Sequence, residues 1–375
     1  MSQEKWIDKG AIDKVARILK VGDYKRIFLL TGKSSYELSG AKSKIEFLLQ
    51  GKDFVRFFDF SQNPKLEDAM IGIRELKLFN PDLIIAIGGG SVIDMAKVIN
   101  ILSANKGDLK SKIEINEIVE KKSCDLVAIP TTAGTGSEST HFAVLYINKT
   151  KYSLAKKCLL PEYAIVDSDF VLNLDRYILI SSGLDALCQS IESFWAKNAN
   201  AVSREYALMA MNLLLPTLSK IATNRNDELV GKMCLGSNYA GMAINISKTT
   251  APHALSYALT SYYNIPHGRA VAFFMGKFFI INSNYTESEN FSLSNDVALS
   301  SIMQTIFDIF KVKDGKECSF KWNQLLDELN VNYTFEKYNL DKNECKKTVM
   351  QNINLDRLKN NPVELSPEAI NFIFD

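Results

Sequence analysis

The stretch Leu83-Ile84-Ile85-Ala86-Ile87-Gly88-Gly89-Gly90-Ser91-Val92-Ile93-Asp94-Met95-Ala96-Lys97 decides how this chain folds. Five apolar residues in a row read as a strand buried on both faces, the signature of a parallel sheet. Three glycines then let the backbone turn sharply and approach a ligand closely, because no Cβ intervenes. Ser91 suits an N-cap, and Asp94 gives a capping-box-like start to a helix reaching about Leu102. Free N–H groups and the positive end of the helix dipole favour a phosphate over the glycines. A bare strand-to-helix turn is the competing reading, and the strand before and capped helix after weigh against it.

Outward from this run the chain alternates. Residues 26–31 read as a strand, followed by Gly32-Lys33-Ser34-Ser35 and a helix through about Leu49. Residues 54–58 form a second strand, closed by Asn63-Pro64, and Leu66, Met70, Ile73, Leu76 and Phe79 then recur at helical spacing. Residues 126–130 are another strand. The loop 131–140 is rich in small and hydroxylated residues, with Thr131, Thr132, Thr135 and Ser137 as donors for a second wall of a nucleotide cleft. Residues 141–146 and 163–167 read as further strands. Such alternation implies a parallel sheet covered by helices on both faces, with ligands beyond the carboxyl ends of the strands. From about Arg176 long helical patterns take over. The expected fold is therefore α/β plus all-α: a Rossmann-like parallel-sheet dinucleotide-binding domain at 1–175, then a helical domain at 176–375.

Composition narrows the function. A chain of 375 residues with 46% hydrophobic content suits two ordered domains. The net charge of +1, without blocks of like charge, argues against a nucleic-acid or membrane-surface partner. Six scattered cysteines without C-x-x-C pairing are cytosolic thiol usage. The start Met-Ser-Gln-Glu-Lys-Trp has no apolar h-region, so a soluble cytoplasmic protein is the expectation.

The helical half holds a second constellation. Asp185 and Gln189 share one helix face, four residues apart. Two of the three histidines, His253 and His267, lie 14 apart, each after a proline. A carboxylate with two imidazoles is a catalytic divalent-metal set with open positions for substrate. The same residues at helix ends also serve as plain hydrogen-bonders, and spacing alone leaves both readings open.

Along nearly its whole length the chain resembles the iron-containing, metal-dependent alcohol dehydrogenases. Asn63-Pro64, the 88–97 run, 131–138, 183–192, the His253 and His267 segments and Asn361-Pro362 carry the likeness, in order and spacing. The resemblance implies a dinucleotide-binding domain, a helical domain, a divalent metal (Fe2+ or Zn2+) in a cleft between them, and a homodimer. It implies cofactor contacts from Gly32, Ser34, Asn63, Gly88, Gly89, Gly90, Ser91, Asp94, Thr131, Thr132, Thr135 and Ser137. It makes Asp185, His253 and His267 metal ligands, with Gln189 where the family usually has histidine. A neutral carbonyl oxygen is a harder, weaker ligand than imidazole, so the metal binds more loosely, is a harder ion, or is dispensable. Tyr257 stands where some members carry another histidine near the proton path. Gly32 replaces an acidic residue of many NAD-using members, which with Lys33 and Ser34 leans towards NADPH, with NADH still open.

The activity implied is reduction of a small aldehyde to its primary alcohol by metal-assisted hydride transfer. Lys248-Thr249-Thr250 before His253 is similar to the phosphonoacetaldehyde reductase subgroup and would hold a phosphonate, with Arg269 assisting. A generic short- or medium-chain alcohol dehydrogenase (butanol or propanediol type), a non-catalytic nucleotide-binding relative and a dehydroquinate-synthase-like cyclase are the rivals.

Overall fold

A computed structural model describes residues 3–148, 150–284 and 298–375, so the first two residues of the N-terminal reading lie outside it. The chain divides into two compact units, one of residues 1–175 with 226–238, the other of 176–225 with 239–375. The return of 226–238 to the first unit has no counterpart in the single boundary read from the sequence.

The first unit is built on a six-stranded, wholly parallel sheet. Its strands are β1 (Glu4–Ile7), β2 (Arg26–Thr31), β3 (Asp53–Phe57), β4 (Leu83–Gly88), β5 (Asp125–Pro130) and β8 (Tyr163–Val166), in spatial order β1-β8-β5-β4-β2-β3. Period-two alternation divides each central strand between two cores. Ile84 and Ala86 pack with Phe28, Leu30, Leu126 and helices Leu66–Phe79 and Gly90–Ser103. Leu83, Ile85 and Ile87 pack with Ile27, Leu29, Val127 and helices Lys14–Val21 and Ala41–Leu48. A strand covered on both faces has no polar side to show, hence the unbroken apolar run. The chain reverses direction across the sheet between β2 and β4, and crevices beyond the carboxyl ends of such strands bind ligands. Thr31 is level with Ile87 there, which puts Gly32 and the triple glycine side by side.

Three expectations change. The helix expected through Leu49 breaks at Gly40, whose φ of 77° only glycine adopts readily, into Ser35–Leu38 and Ala41–Leu48. The strand at 141–146 exists as β6 (Phe142–Ile147) but leaves the sheet, pairing antiparallel with β7 (Thr150–Ala155). Ser91 is not the N-cap. The helix starts at Gly90 with Gly89 before it, and Asp94 caps nothing.

The second unit is helical. Trp195, Phe279, Phe310 and Trp322 form its aromatic centre, with ring centroids 5.4–6.5 Å apart in four pairs. Among the described residues no helix is long and apolar enough to cross a membrane.

Candidate active site

In the first unit the glycine turn and the 131–140 loop meet. Thr131 N–H donates to Gly88 O at 2.9 Å, extending the β4–β5 register past the end of the strands. A Cβ on Gly90 would lie 2.6 Å from Thr135 Cγ2, and one on Gly89 3.5 Å from Thr132 Cγ2. Gly90 is thus dictated by the protein itself, whereas Gly89 would tolerate a methyl without a ligand. The first hydrogen bond of the helix is Val92 N–H to Gly89 O, which leaves the Gly90 and Ser91 N–H groups at its open end. Thr131 Oγ1 is buried with no hydrogen-bond partner among the described residues. This is an arrangement for an anion held by backbone.

Asp94 faces the other way. Its carboxylate accepts from Ser137 Oγ at 2.5 Å and Val144 N–H at 2.9 Å, and burial raises its pKa against the opposing pull of Lys97 and Ser137. Asp94 and Ser137 therefore shape the loop, a correction to their expected place at the phosphates. Asn63 and Ser34 are exposed, and Pro64 O receives Tyr146 N–H at 2.7 Å. Beside Gly32, the sequence reading missed Arg56: its Nε donates to Thr31 Oγ1 at 2.8 Å and Nη2 to Gly32 O at 3.3 Å. Lys33 pairs with Asp59 at 2.6 Å, both exposed.

The second unit brings Asp185, His253 and His267 together, with ligand atoms within 4.8 Å of one another. Helix Arg176–Trp195 presents Asp185, Gln189 and Glu192 on one face by their i, i+4, i+7 spacing. Helix Ala251–Tyr263 carries His253 in its first turn, and helix His267–Ser283 begins at His267. Gly268 is the hidden requirement: a Cβ there would stand 1.8 Å from Ser181 O and 2.9 Å from Asp185 N. Only glycine lets that helix start sit directly on the Asp185 helix. His253 Nε2 is 3.3 Å and His267 Nε2 3.9 Å from Asp185 Oδ1. Tyr257 stacks on His267, with centroids 5.8 Å apart.

Glu192, quoted at the end of its motif but assigned no role, organises this site. Fully buried, it accepts from Thr250 N–H (2.9 Å), Thr250 Oγ1 (3.0 Å) and His253 N–H (3.2 Å), and it holds His253 Nδ1. With Nδ1 so bonded, Nε2 is the nitrogen turned to Asp185. Burial pulls the His253 pKa down, yet Glu192 and Asp185 overcome it and raise it to about 10. Burial likewise opposes ionisation of Asp185, and His267, His253 and Gln189 outweigh it and lower its pKa. The site is therefore one that attracts a cation. Gln189 Oε1 is buried without a hydrogen-bond partner among the described residues. A buried carbonyl oxygen so left costs about 1–3 kcal/mol, and a metal beside Asp185 removes that cost. The donor set, two imidazoles with a carboxylate and an amide oxygen, fits a divalent ion.

The anion grip read from the sequence is only partly present. Lys248 is exposed, in the left-handed region at φ 63°, where it ends the preceding helix. Thr250 gives its hydroxyl hydrogen to Glu192 and accepts from Trp195 Nε1 at 2.9 Å, so it has none for a phosphonate. Arg269 is buried against Ser181 Oγ (2.9 Å) and Asn330 O (3.3 Å), with Tyr177 under its guanidinium, so these donors are already engaged between the helices. Asn360, next to the quoted Asn361-Pro362, donates to Ser247 O (2.8 Å) and Thr249 O (2.9 Å) and fixes the turn ahead of His253.

Comparison with known proteins agrees with this geometry. The pattern described as "Iron-containing alcohol dehydrogenase" matches residues 3–168, and "Fe-containing alcohol dehydrogenase family, C-terminal" matches 179–375. Alcohol dehydrogenase 4 of Saccharomyces cerevisiae is 31% identical over 267 residues, 69% of either chain. The 4-hydroxybutyrate dehydrogenase of Clostridium kluyveri is 29% identical over 337 residues, 82% of this chain and 88% of that one. A crystal structure of sulfoacetaldehyde reductase from Bifidobacterium kashiwanohense in complex with NAD+ superposes with a TM-score of 0.86 at 25% identity, covering 99% and 96% of the two chains. With both halves matched and the metal-type cluster in place, this chain belongs to the iron-containing alcohol dehydrogenase family.

Proposed function

We propose that the protein reduces a short aldehyde bearing a terminal anion to its primary alcohol, with phosphonoacetaldehyde as the specific substrate and NADPH as the hydride donor. The observation that carries the chemistry is the buried, unpartnered Gln189 Oε1 beside Asp185, His253 and His267. Asp185, Gln189, His253 and His267 would hold Fe2+ or Zn2+, which supplies Lewis-acid polarisation of a carbonyl oxygen, while the nicotinamide supplies the hydride. With a metal in place of the Nε2 proton, Glu192 would keep hold of the Nδ1 proton of His253 and leave the Nε2 lone pair towards the site. Tyr257, stacked on His267, passes a proton to the alkoxide product. The open helix end at Gly90 and Ser91, with Thr131 and Thr132, receives the pyrophosphate.

Two relatives support an anionic substrate, because 4-hydroxybutyrate carries a carboxylate and sulfoacetaldehyde a sulfonate at the end remote from the reacting carbon. Lys248, exposed in the turn before His253, is the charge assigned to that end. For NADPH the support is Gly32, which offers no carboxylate to repel a 2′-phosphate, with the Arg56 guanidinium at its carbonyl.

Initial rates of NADPH oxidation with phosphonoacetaldehyde, sulfoacetaldehyde and butanal test this. Hydrogen bonds to a charged group are worth roughly 1.5–3 kcal/mol, so Lys248→Met should lower kcat/KM on the anionic aldehydes about ten- to a hundredfold. Butanal turnover should stay the same. Equal wild-type rates on anionic and neutral aldehydes would return the protein to the generic alcohol dehydrogenase reading.

A further inference from the structure

Asn360 is a buried amide with its donor and its acceptor both engaged. Its Nδ2 donates to Ser247 O at 2.8 Å and to Thr249 O at 2.9 Å, and its Oδ1 accepts from Asn198 N–H at 3.0 Å. Its backbone O accepts from Lys197 N–H, also at 3.0 Å. One residue thus joins the stretch just after helix Arg176–Trp195, which carries Asp185, Gln189 and Glu192, to the turn that leads into His253. Between the two carbonyls it grasps lies Lys248, at φ 63°. That region crowds a side chain, and seven of the nine described non-glycine residues in it are Asn or Asp, which tolerate it best. Lys248 lacks that ease. Its side chain is exposed, while Ser247, Thr249 and Thr250 around it are buried, so its own packing does not hold the conformation. The two bonds from Asn360, one on either side, do. Beyond the turn, Thr250 N–H and His253 N–H meet Glu192 at 2.9 and 3.2 Å.

We propose that Asn360 is a positioning residue for the metal site: by gripping Ser247 O and Thr249 O it holds Lys248 left-handed, and that turn delivers Thr250 and His253 to Glu192 with His253 Nε2 towards Asp185. Its side chain bonds to none of Asp185, Gln189, His253 and His267. The inference rests on the reading that those four residues hold a divalent ion.

The experiment is a double-mutant cycle on chelator-stripped protein titrated with Zn2+: wild type, Asn360→Ala, Lys248→Gly, and the two changes together. Glycine takes a positive φ without strain, so Lys248→Gly removes the need for what Asn360 holds, at little loss of packing. Asn360→Ala alone should raise the Zn2+ Kd about ten- to a hundredfold, as loss of an outer support does. In the Lys248→Gly background the same change should cost less than about threefold. The NADPH Kd should stay within about twofold throughout, because the glycine turn is untouched. Asn360→Ser, which keeps one donor on a shorter stem, should fall between Ala and wild type, and it becomes the deciding variant should Asn360→Ala not fold. An unchanged Zn2+ Kd in the Asn360 variants overturns the inference. Equal losses in both backgrounds overturn it too, since Asn360 would then not act through the left-handed turn. A parallel loss of Zn2+ and NADPH binding overturns it as general destabilisation. Wild type that takes up no Zn2+ overturns the metal-site reading, and the inference with it.

Discussion

The glycine turn and the Asp185 site solve opposite problems with opposite materials. At 88–91 the surface on offer is backbone: three residues without side chains, the open N–H groups of a helix, and threonines held close by hydrogen bonds behind them. At 185–267 it is side chain, supplied by three helices and held by a fourth layer of contacts through Glu192, Thr250 and Asn360. A backbone site is encoded where it acts, within one strand-turn-helix. A side-chain site is assembled from residues up to 82 positions apart and depends on a glycine, Gly268, that has no side chain to contribute to it. The first needs one turn with one loop packed on it, whereas the second needs several residues distant in sequence to meet at once.

That contrast can be broken by variants that should separate cleanly. His253→Ala should show the largest effect. It removes a ligand and strands the Glu192 charge, and loss of Lewis-acid stabilisation worth several kcal/mol lowers kcat/KM about a thousandfold or more. NADPH binding should stay within twofold, because the glycine turn is untouched. Gly89→Ala should do the reverse. A methyl pressed into a bound phosphate costs about 1–3 kcal/mol, raising the NADPH Kd about ten- to a hundredfold, with metal content unchanged. A variant of either kind that impairs both metal and cofactor binding would break the division.

Glu192→Gln sharpens the second half of the comparison. It keeps shape and removes the charge behind His253, and supporting carboxylates of this kind are worth about 10–100-fold in metal affinity or activity. A titration with Zn2+ should show the weaker binding even in protein that is never assayed. The smallest effect belongs to Gly32→Asp. Its carboxylate repels a 2′-phosphate and accepts from a 2′-hydroxyl, so the NADPH/NADH ratio of kcat/KM should fall, by about tenfold for one charged hydrogen bond. Ser35 Oγ, 2.1 Å from the new Cβ, swings aside by rotation about χ1. An unchanged ratio would place the ribose away from Gly32.

The same contrast explains what the sequence made legible. Residues 83–97 carry their own fold in local pattern, and β4 and its helix appear within a residue or two of where they are expected. Ser91 and Asp94 were misread because capping and inward anchoring draw on the same residue types, and only the neighbouring loop distinguishes them. β6 has a strand's composition, but nothing in six residues tells whether its partner is the sheet or β7. In the helical half Asp185, His253 and His267 were nameable through the family resemblance, not through spacing. Glu192 was overlooked because a glutamate in a helix is ordinarily a solvated residue. Here four donors surround it, two of them from His253, 61 positions away. Arg269 and Thr250 were assigned to the substrate because a sequence displays charge and hydroxyls but not the contacts that already occupy them.

The central claim is that Asp185, Gln189, His253 and His267 form one divalent-metal site on which aldehyde reduction depends. The most direct test is metal analysis of chelator-stripped and Zn2+- or Fe2+-reconstituted protein, wild type beside His267→Ala and Gln189→Ala, with NADPH oxidation followed in the same samples. The account predicts one ion per chain in wild type, none retained by His267→Ala, weaker retention by Gln189→Ala, and activity that tracks occupancy. Full aldehyde reduction by the stripped protein, or undiminished metal in His267→Ala, would contradict it.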